Sequence, residues 1–241
     1  MDPGYAAAYR DLYERHWWWR ARERFLLERL AAEAGQETDR RILDVGCGDA
    51  LFFDELAAFG TVRGVEPDRD VLSDGPWRAS IYAGSLETFT AVRPFDWILM
   101  LDMLEHVEEP GRILLRAREL ADVDALLFVT VPAFRSLWTR HDNLNYHYAR
   151  YDRSSLTRLL VGTGWEAREM EYFFHWLAPI KLLVKLKERL VAGGPEVETV
   201  PARPLNQMAL AVSGIEQRLL SSLGIPFGTS LYARCEAVEV R

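Results

Sequence analysis

Residues 42–49 read ILDVGCGD and join an apolar run to a glycine-rich turn. Gly46 and Gly48 have no Cβ, so the chain can turn tightly there and a ligand can approach the backbone closely. A helix predicted to begin near Ala50 would place unpaired backbone N–H groups beside the same turn. The stretch therefore predicts a strand, a ligand-binding turn and a helix, in that order.

Short apolar runs alternate with helical patterns after this turn. The helical patterns are FFDELAAFG at 52–60 and RILLRARELA at 112–121, and the strand patterns are TVRGVE at 61–66, FDWILML at 95–101 and ALLFVTVP at 125–132. Such alternation predicts a parallel sheet with right-handed crossover connections. The runs at 95–101 and 125–132 are nearly continuously apolar, which is typical of central strands covered by helices on both faces.

The rest of the chain adds helices and two further strands. Apolar residues at three- and four-residue spacing predict a helix over 9–34, and Asp152 or Ser154 is expected to cap another helix. Glycines and prolines at 193–204 predict a linker or mobile loop. The remaining predicted elements are strands at 164–174 and 228–240 and helices at 176–191 and 205–222.

Composition excludes several classes of protein. The chain has 241 residues, with 29 basic and 36 acidic side chains and a net charge of −7, so no nucleic-acid partner is expected. Cys47 and Cys235 lie outside any CxxC spacing, which argues against a disulfide framework or a structural zinc site. Residues 1–15 lack the basic and apolar regions of a secretory signal. We therefore expect a cytoplasmic protein.

Two acids near the glycine turn indicate the kind of ligand. Glu66 ends the predicted second strand, 18 residues after Gly48, where a carboxylate can accept hydrogen bonds from both hydroxyls of a ribose. A dinucleotide-binding turn would need a third glycine at the position of Leu51, so NAD and FAD are disfavoured. Asp44 can bind the ammonium group of an amino-acid moiety but would repel a pyrophosphate.

In combination, these motifs resemble the class I S-adenosylmethionine-dependent methyltransferases. The resemblance covers about residues 40–135 and rests on LDVGCGDA at 43–50, VRGVEP at 62–67, AGSLETF at 83–89 and FDWILMLDMLEHVEEP at 95–110. HWWWRARERFL at 16–26 and HDNLNYHYARYDR at 141–153 are similar to a bacterial branch that modifies small molecules, lipids or surface sugars.

The resemblance implies an α/β fold and a cofactor. The fold would be a doubly wound, mainly parallel seven-stranded sheet of order 3-2-1-4-5-7-6, with the last strand antiparallel and helices added at the N-terminus and in the C-terminal half. The cofactor would be S-adenosylmethionine, and its product S-adenosylhomocysteine. We expect one domain over 1–241, with an N-terminal helical lid at 1–39, a cofactor-binding core at 40–135 and substrate-side elements at 136–241.

The same resemblance assigns the cofactor-binding residues. Asp44, Gly46 and Gly48 would hold the methionyl part, Glu66 the ribose, Ser85 and Leu86 the adenine, and Leu101 the far wall, with Cys47, Pro67 and His106 also at the cofactor. Many relatives carry an acid at the position of Ser85, so adenine recognition is expected to use backbone groups or Glu87 instead.

Methyl transfer from a sulfonium needs alignment, exclusion of water and, for a hydroxyl acceptor, a base. His141 and His147 follow the fifth predicted strand and are the candidates for that base, although a histidine in a polar loop is often a plain surface residue. The other residues expected on the substrate side are Trp18, Arg22, Tyr148, Arg150 and Tyr151, with loop packing as the alternative for the loop residues. Asp142 stands beside asparagines rather than converging acids, so no metal site is expected.

Residues 175–191, HWLAPIKLLVKLKERLV, are apolar but interrupted by Lys181, Lys185 and Lys187. Central lysines disfavour a membrane-spanning helix. Two interpretations stay open: an interfacial helix that lies on a membrane or admits a lipid-like substrate, or a helix packed on the domain with its lysines outward. The first would place the protein at the inner face of the membrane.

The leading hypothesis is a methyltransferase acting on a small-molecule or lipid-like acceptor, with oxygen ahead of carbon or nitrogen as the methylated atom. An NAD-dependent Rossmann oxidoreductase or epimerase is a second hypothesis, which Leu51 and Asp44 disfavour. A third is a non-catalytic protein that binds S-adenosylmethionine as a regulator. The acceptor and the oligomeric state do not follow from the sequence.

Overall fold

In a computed structural model of the protein, the structure describes residues 3–35, 37–191, 199–220 and 223–238, and for residues 3–8 the backbone only. The helices are α1 (Pro3–Arg15), α2 (Trp17–Ala34), α3 (Phe53–Leu56), α4 (Pro110–Leu120), α5 (Arg140–Leu144), α6 (Arg153–Val161), α7 (Leu177–Leu190) and α8 (Arg203–Leu220). The strands are β1 (Arg40–Val45), β2 (Gly60–Glu66), β3 (Ile81–Ala83), β4 (Phe95–Leu101), β5 (Ala121–Pro132), β6 (Trp165–Phe173) and β7 (Ser230–Ala237).

The strands form a seven-stranded sheet of order β3-β2-β1-β4-β5-β7-β6. The pairs among the first five strands are parallel. Strand β7 runs antiparallel to its neighbours. Thr229, just before its start, donates to the carbonyl of Phe173 at the end of β6, and Val238, just after its end, donates to the carbonyl of Gly164 before β6. Ala133, just after β5, donates to the carbonyl of Thr229 in the same sense. The predicted fold and strand order, including the antiparallel last strand, are confirmed.

Central strands β4 and β5 are buried along most of their length. Ile98, Leu99, Leu127 and Phe128 have no exposed surface. Burial on both faces is what the nearly continuous apolar runs predicted, since a strand covered by helices has no solvent side to carry polar residues.

The chain divides into two compact units. The sheet unit comprises 34–131, 151–170 and 232–241, and the helical unit comprises 1–33, 132–150 and 171–231. The sheet unit holds β1 to β4, nearly all of β5 and the larger parts of β6 and β7. The helical unit holds α1, α5, α7 and α8 in full and nearly all of α2. The predicted lid, core and substrate-side roles of the segments stay predictions.

The helix predicted over 9–34 is two helices that meet at His16. The backbone N–H of Trp17 donates to the side-chain oxygen of Asn206 over 2.9 Å, and the Asn206 amide donates to the carbonyl of Arg15 over 2.8 Å. The ring of His16 accepts from the N–H of Trp18 at 3.2 Å. These side chains take backbone groups that an unbroken helix would pair internally, so the helix is interrupted there.

Other predicted elements are shorter or displaced. The helix after the glycine turn is limited to Phe53–Leu56, because the chain must re-enter the sheet at Gly60, where contact with the Arg40 carbonyl leaves no room for a Cβ. The polar stretch after β5 contains α5, and Asp152 is the residue that caps α6, through a bond from the N–H of Ser155. Residues 193–198 of the predicted linker lie outside the described residues.

Candidate active site

Strand β1 leads into a turn that the sheet holds tightly. Gly46 and Gly48 adopt positive φ angles of 75° and 53°, a conformation that glycine takes without steric cost. The N–H groups of Gly46 and Cys47 donate to the carbonyl of Val65 over 2.8 and 3.3 Å. These backbone hydrogen bonds fix the turn to the end of β2.

The turn also lies too close to the end of β4 for any larger residue. A Cβ on Gly46 would stand 2.9 Å from the Cβ of Met103, closer than real Cβ contacts allow. The geometry at Gly46 therefore requires a residue without a side chain, as the sequence predicted.

We expect Gly46→Ala to lower the free energy of unfolding by about 1–3 kcal/mol, because it adds a left-handed alanine and an overpacked contact. Gly35→Ala is the matched control. Gly35 also has a positive φ, 56°, but nothing lies within 4 Å of its Cβ position. Urea denaturation should show the larger loss for Gly46→Ala, and equal losses would contradict the packing argument.

Glu66 lies at the end of β2 with its carboxylate facing the glycine turn. One oxygen accepts from the N–H of Gly48 and the other from that of Asp68, each at 2.9 Å. The residue is buried, and burial raises the pKa of Glu66 although the two backbone hydrogen bonds oppose the change. Each carboxylate oxygen has a second lone pair, so the oriented group can still accept from ligand hydroxyls.

Asp44 and Cys47 lie on the two sides of Gly46. Asp44 is buried in β1, where its register partners are Gly64 of β2 and Leu99 of β4. Burial, followed by the nearby charges of Asp44 and Glu66, raises the pKa of Cys47 far above its ordinary value. The thiol therefore stays protonated and is not a nucleophile.

The predicted adenine side follows β3. The carbonyl of Ser85 accepts from the backbone N–H and the hydroxyl of Thr88, at 3.2 and 3.0 Å, which closes a turn. Leu86 is buried beneath it and Pro67 is exposed beside Glu66. Their contacts with adenine stay predictions.

The edge of the sheet continues at the end of β4. Leu101 is half-buried there, and the next residue, Asp102, has a φ of 53° and donates its N–H to the carbonyl of Thr130 over 2.9 Å. His106 is exposed at the end of a single helical turn, Leu104–His106. Its predicted place in the cofactor site stays a prediction.

The residues of this sheet edge fit S-adenosylmethionine. A turn with two glycines lies at the end of β1, an oriented carboxylate at the end of β2, and a second buried acid inside β1. Ligands of open α/β sheets bind at these carboxyl ends of strands. Glu66 suits a ribose and Asp44 an ammonium group, and Asp44 would repel the pyrophosphate of NAD.

A second cluster lies in the helical unit, around Asp142. Asp142 is fully buried, and one of its oxygens accepts from Nε of Arg150 at 2.7 Å and from Nδ1 of His147 at 3.0 Å. The other oxygen accepts from the N–H and the hydroxyl of Thr139, at 2.8 and 3.2 Å. Nη1 of Arg150 also donates to the carbonyl of Ala133 at 2.8 Å.

This cluster sets the charge state of Asp142 and the orientation of His147. Burial alone would raise the pKa of Asp142, but the hydrogen bonds from His147, Arg150 and Thr139 and the charge of Arg150 outweigh it and hold that pKa well below its ordinary value. A carboxylate at Nδ1 selects the tautomer in which Nε2 is the proton-accepting nitrogen. The hydrogen bond to Asp142 thus orients the ring of His147, as a general base requires.

Sequence reasoning had placed Asp142 only in an unfavoured metal site and missed its role as the acceptor that organises the segment. An acid between histidines and an arginine was the available signal, but the sequence does not show which of these side chains turn inward. His141 has a different environment, since its Nε2 lies 2.9 Å from the side-chain nitrogen of Asn145.

The predicted substrate-side residues differ in exposure. Tyr148 is exposed, whereas the guanidinium of Arg150 is bonded to Asp142 and Ala133. Tyr151 is buried in the sheet unit, where its hydroxyl donates to the carbonyl of Leu104 at 3.3 Å, and burial raises its pKa to about 12. The loop-packing alternative therefore describes the observed contacts of these two residues, and their contact with substrate stays a prediction.

The tryptophans at the start of α2 differ in burial. Trp17 is buried against Phe174 and Trp176, and Trp18, half-buried, stacks on Phe174. Arg22 is buried, with its guanidinium carbon 5.8 Å from the centre of the Trp18 ring. At least one ring thus contributes to packing, and the substrate contacts of Trp18 and Arg22 stay predictions.

Sequence comparisons match the chain to methyltransferases. A family model described as "Methyltransferase domain" matches residues 18–170. The chain is 31% identical over 99 residues to a ubiquinone biosynthesis O-methyltransferase of Azorhizobium caulinodans, a match that covers 37% of this chain and 39% of that protein. Across the four ubiquinone biosynthesis O-methyltransferases it matches, the chain spans 31 to 48% of their lengths.

Solved structures share the fold at low identity. A SAM-dependent methyltransferase from Archaeoglobus fulgidus is 13% identical with a TM-score of 0.54, over 89% of this chain and 94% of that one. Magnesium protoporphyrin IX methyltransferase from Synechocystis PCC 6803 with bound SAH is 12% identical with a TM-score of 0.53, over 91% of this chain and 84% of that one.

Proposed function

Because the chain belongs to the methyltransferase domain family of class I S-adenosylmethionine-dependent enzymes, we propose that it transfers a methyl group to a hydroxyl of a small-molecule or lipid-like acceptor. The matches confirm the predicted family and its cofactor, S-adenosylmethionine. Their names support a small-molecule acceptor, since the curated relatives are ubiquinone biosynthesis O-methyltransferases.

In this proposal the sheet edge binds the cofactor. Asp44 holds the ammonium group of the methionyl part, Gly46 and Gly48 let it approach the backbone, and Glu66 accepts from the ribose hydroxyls. When bound, S-adenosylmethionine supplies an electrophilic methyl group on a sulfonium. The protein then has to align the acceptor, exclude water and remove one proton.

The observation that carries oxygen as the accepting atom is the hydrogen bond from His147 to Asp142. A hydroxyl is a poor nucleophile until a base takes its proton, whereas most carbon and nitrogen acceptors need less assistance. We assign His147 as that base, with Nε2 as the accepting atom, and Asp142 as the residue that positions it. His141 is the alternative base from the sequence and serves as the comparison.

Calorimetric titration of the wild type and Glu66→Ala with S-adenosylmethionine, S-adenosylhomocysteine and NAD tests the cofactor assignment. We expect the wild type to bind both sulfur ligands, and Glu66→Ala to weaken that binding about ten-fold or more, or about 1.4 kcal/mol. Glu87→Ala is a matched control at an exposed acid. Binding of NAD, or equal affinities in wild type and Glu66→Ala, would contradict the assignment.

Transfer of a labelled methyl group tests the reaction itself. The acceptors offered are phenols with and without an apolar tail, followed by whole-cell extracts. A labelled ether that forms only with the wild type supports oxygen transfer. A labelled amine or carbon product would show a different accepting atom, and cofactor binding without any product would favour the regulatory alternative.

Among the described residues, no helix combines the length and apolarity that crossing a membrane requires. The peripheral membrane contact predicted for residues 175–191 and a place at the inner face of the membrane stay predictions.

A further inference from the structure

Helix α8 presents its apolar side to solvent. Five of its side chains recur at spacings of three and four residues and are 38 to 66% exposed: Leu205, Met208, Val212, Ile215 and Leu219. At 3.6 residues per turn, such spacing places them in one stripe. The buried residues of the helix include Ser213, Glu216 and Gln217. An ordinary surface helix has the reverse arrangement.

Directional hydrogen bonds fix this orientation of α8. The Gln217 amide donates to the carbonyl of Ala21 in α2 at 3.1 Å. Glu216 accepts from the N–H of Trp176, just before α7, at 2.8 Å. A rotation that buried the apolar stripe would break these bonds and leave their buried partners without hydrogen bonds. The stripe is therefore exposed because of the way the helix packs.

Helix α7 is arranged in the same way. Leu183, Leu186 and Leu190 are 52 to 77% exposed, and Ala178 is the buried residue of the helix. Two of its charged side chains bond to the protein: Nζ of Lys185 donates to the carbonyl of Ser136 at 2.5 Å, and Glu188 accepts from the N–H of Arg140 at 3.0 Å. The alternative of a helix packed on the domain with its lysines outward describes Lys187, which is exposed, but not Lys185, which bonds to the protein.

The charges on these helices have one sign. Within the described parts of α7 and α8, every exposed charged side chain is basic: Lys187, Arg189, Arg203 and Arg218. The two acids, Glu188 and Glu216, are half-buried and buried and accept backbone hydrogen bonds. This local excess stands against a chain net charge of −7.

We propose that the exposed apolar side chains of α7 and α8, which we call the α7–α8 surface, bind an anionic lipid bilayer. Apolar side chains flanked by basic ones are the features of helices that lie in the headgroup region, where apolar burial and attraction to anionic lipids act together. A protein partner with an apolar face would not require that the exposed charges all be basic. The proposal does not depend on the methyl-transfer reaction.

Flotation of the full chain with phosphatidylglycerol–phosphatidylcholine vesicles, compared with pure phosphatidylcholine vesicles, tests the proposal. We expect the wild type to float with the anionic vesicles, and the pairs Ile215→Gln with Leu219→Gln and Leu183→Gln with Leu190→Gln each to weaken that association about ten-fold or more. The pair Lys187→Gln with Arg189→Gln should weaken binding to the anionic vesicles most at low salt.

The matched control is Val123→Gln with Val161→Gln, which changes two exposed valines outside the α7–α8 surface and should bind vesicles as the wild type does. Circular dichroism checks that each variant is folded. Failure of the wild type to float, equal binding to both vesicle types, or wild-type flotation of Ile215→Gln with Leu219→Gln would overturn the proposal. So would a wild-type dimer in light scattering that these variants dissociate, because the surface would then be covered by a second copy.

Discussion

Asp142→Ala is expected to lower the free energy of unfolding by about 3–5 kcal/mol, because it removes one partner of a buried ion pair and leaves the other charge uncompensated. The side chain of Arg150 is 2% exposed and that of Asp142 is fully buried. The change also leaves the N–H of Thr139 and Nδ1 of His147 without their acceptor, and each lost buried partner adds to the cost.

Urea denaturation of the wild type and the variant measures this loss. Asp11→Ala is the matched control: Asp11 lies 2.7 Å from Arg15, but both side chains are more than half exposed. A pair in that environment contributes at most about 1 kcal/mol. A loss for Asp142→Ala as small as that for Asp11→Ala would show that the buried cluster does not stabilise the helical unit.

The same cluster predicts how stability changes with pH. The pKa of Asp142 in the folded protein lies well below its ordinary value of 3.8, so its contribution is fully present above that value and is lost as pH falls through the folded pKa. We expect the difference in unfolding free energy between the wild type and Asp142→Asn to shrink as pH falls below about 4. A difference that stayed constant would contradict the assigned shift.

His147→Ala is expected to lower kcat about 10²- to 10⁴-fold, the usual contribution of a general base. Its ring is held by Asp142 at Nδ1, and the proposal assigns Nε2 as the atom that takes the proton from a hydroxyl acceptor. The measurement uses labelled methyl transfer to the acceptor that the wild type methylates. Calorimetry with S-adenosylmethionine should give the same affinity for both proteins, because His147 is not among the proposed cofactor residues.

His141→Ala is the comparison for this assignment. Nε2 of His141 lies 2.9 Å from the side-chain nitrogen of Asn145, and we expect His141→Ala to change kcat only slightly. Asp142→Asn should also lower kcat, since it weakens the hydrogen bond that orients His147. A larger loss for His141→Ala than for His147→Ala would transfer the role of base to His141.

The parts of the protein that the sequence determined are those in which local pattern and covalent geometry decide the structure. The alternation of apolar runs and helices predicted the sheet, because strand and helix periods differ and a strand buried on both faces has no polar residues. Gly46 marked the turn, since the conformation found there is strained for other residues. Glu66 followed from its distance along the chain to that turn.

Tertiary structure alone decided which way polar side chains face. The sequence offered His141, His147 and Asp142 as equivalent members of one polar segment, and only the packed chain buries Asp142 and pairs it with His147 and Arg150. The break at His16 likewise comes from Asn206, a residue 189 positions further along than Trp17.

The orientation of α7 and α8 was also decided by the tertiary structure and not by the sequence pattern. Both helices show an amphipathic pattern, which predicts two faces but not which of them meets the protein. Lys185 and Gln217 donate to distant carbonyls, and Glu188 and Glu216 accept from distant N–H groups, so these polar side chains are held against the protein. The periodicity of a sequence shows that a helix has an apolar face. Which way that face points is decided by contacts between residues far apart in the chain, and those contacts form only when the chain folds.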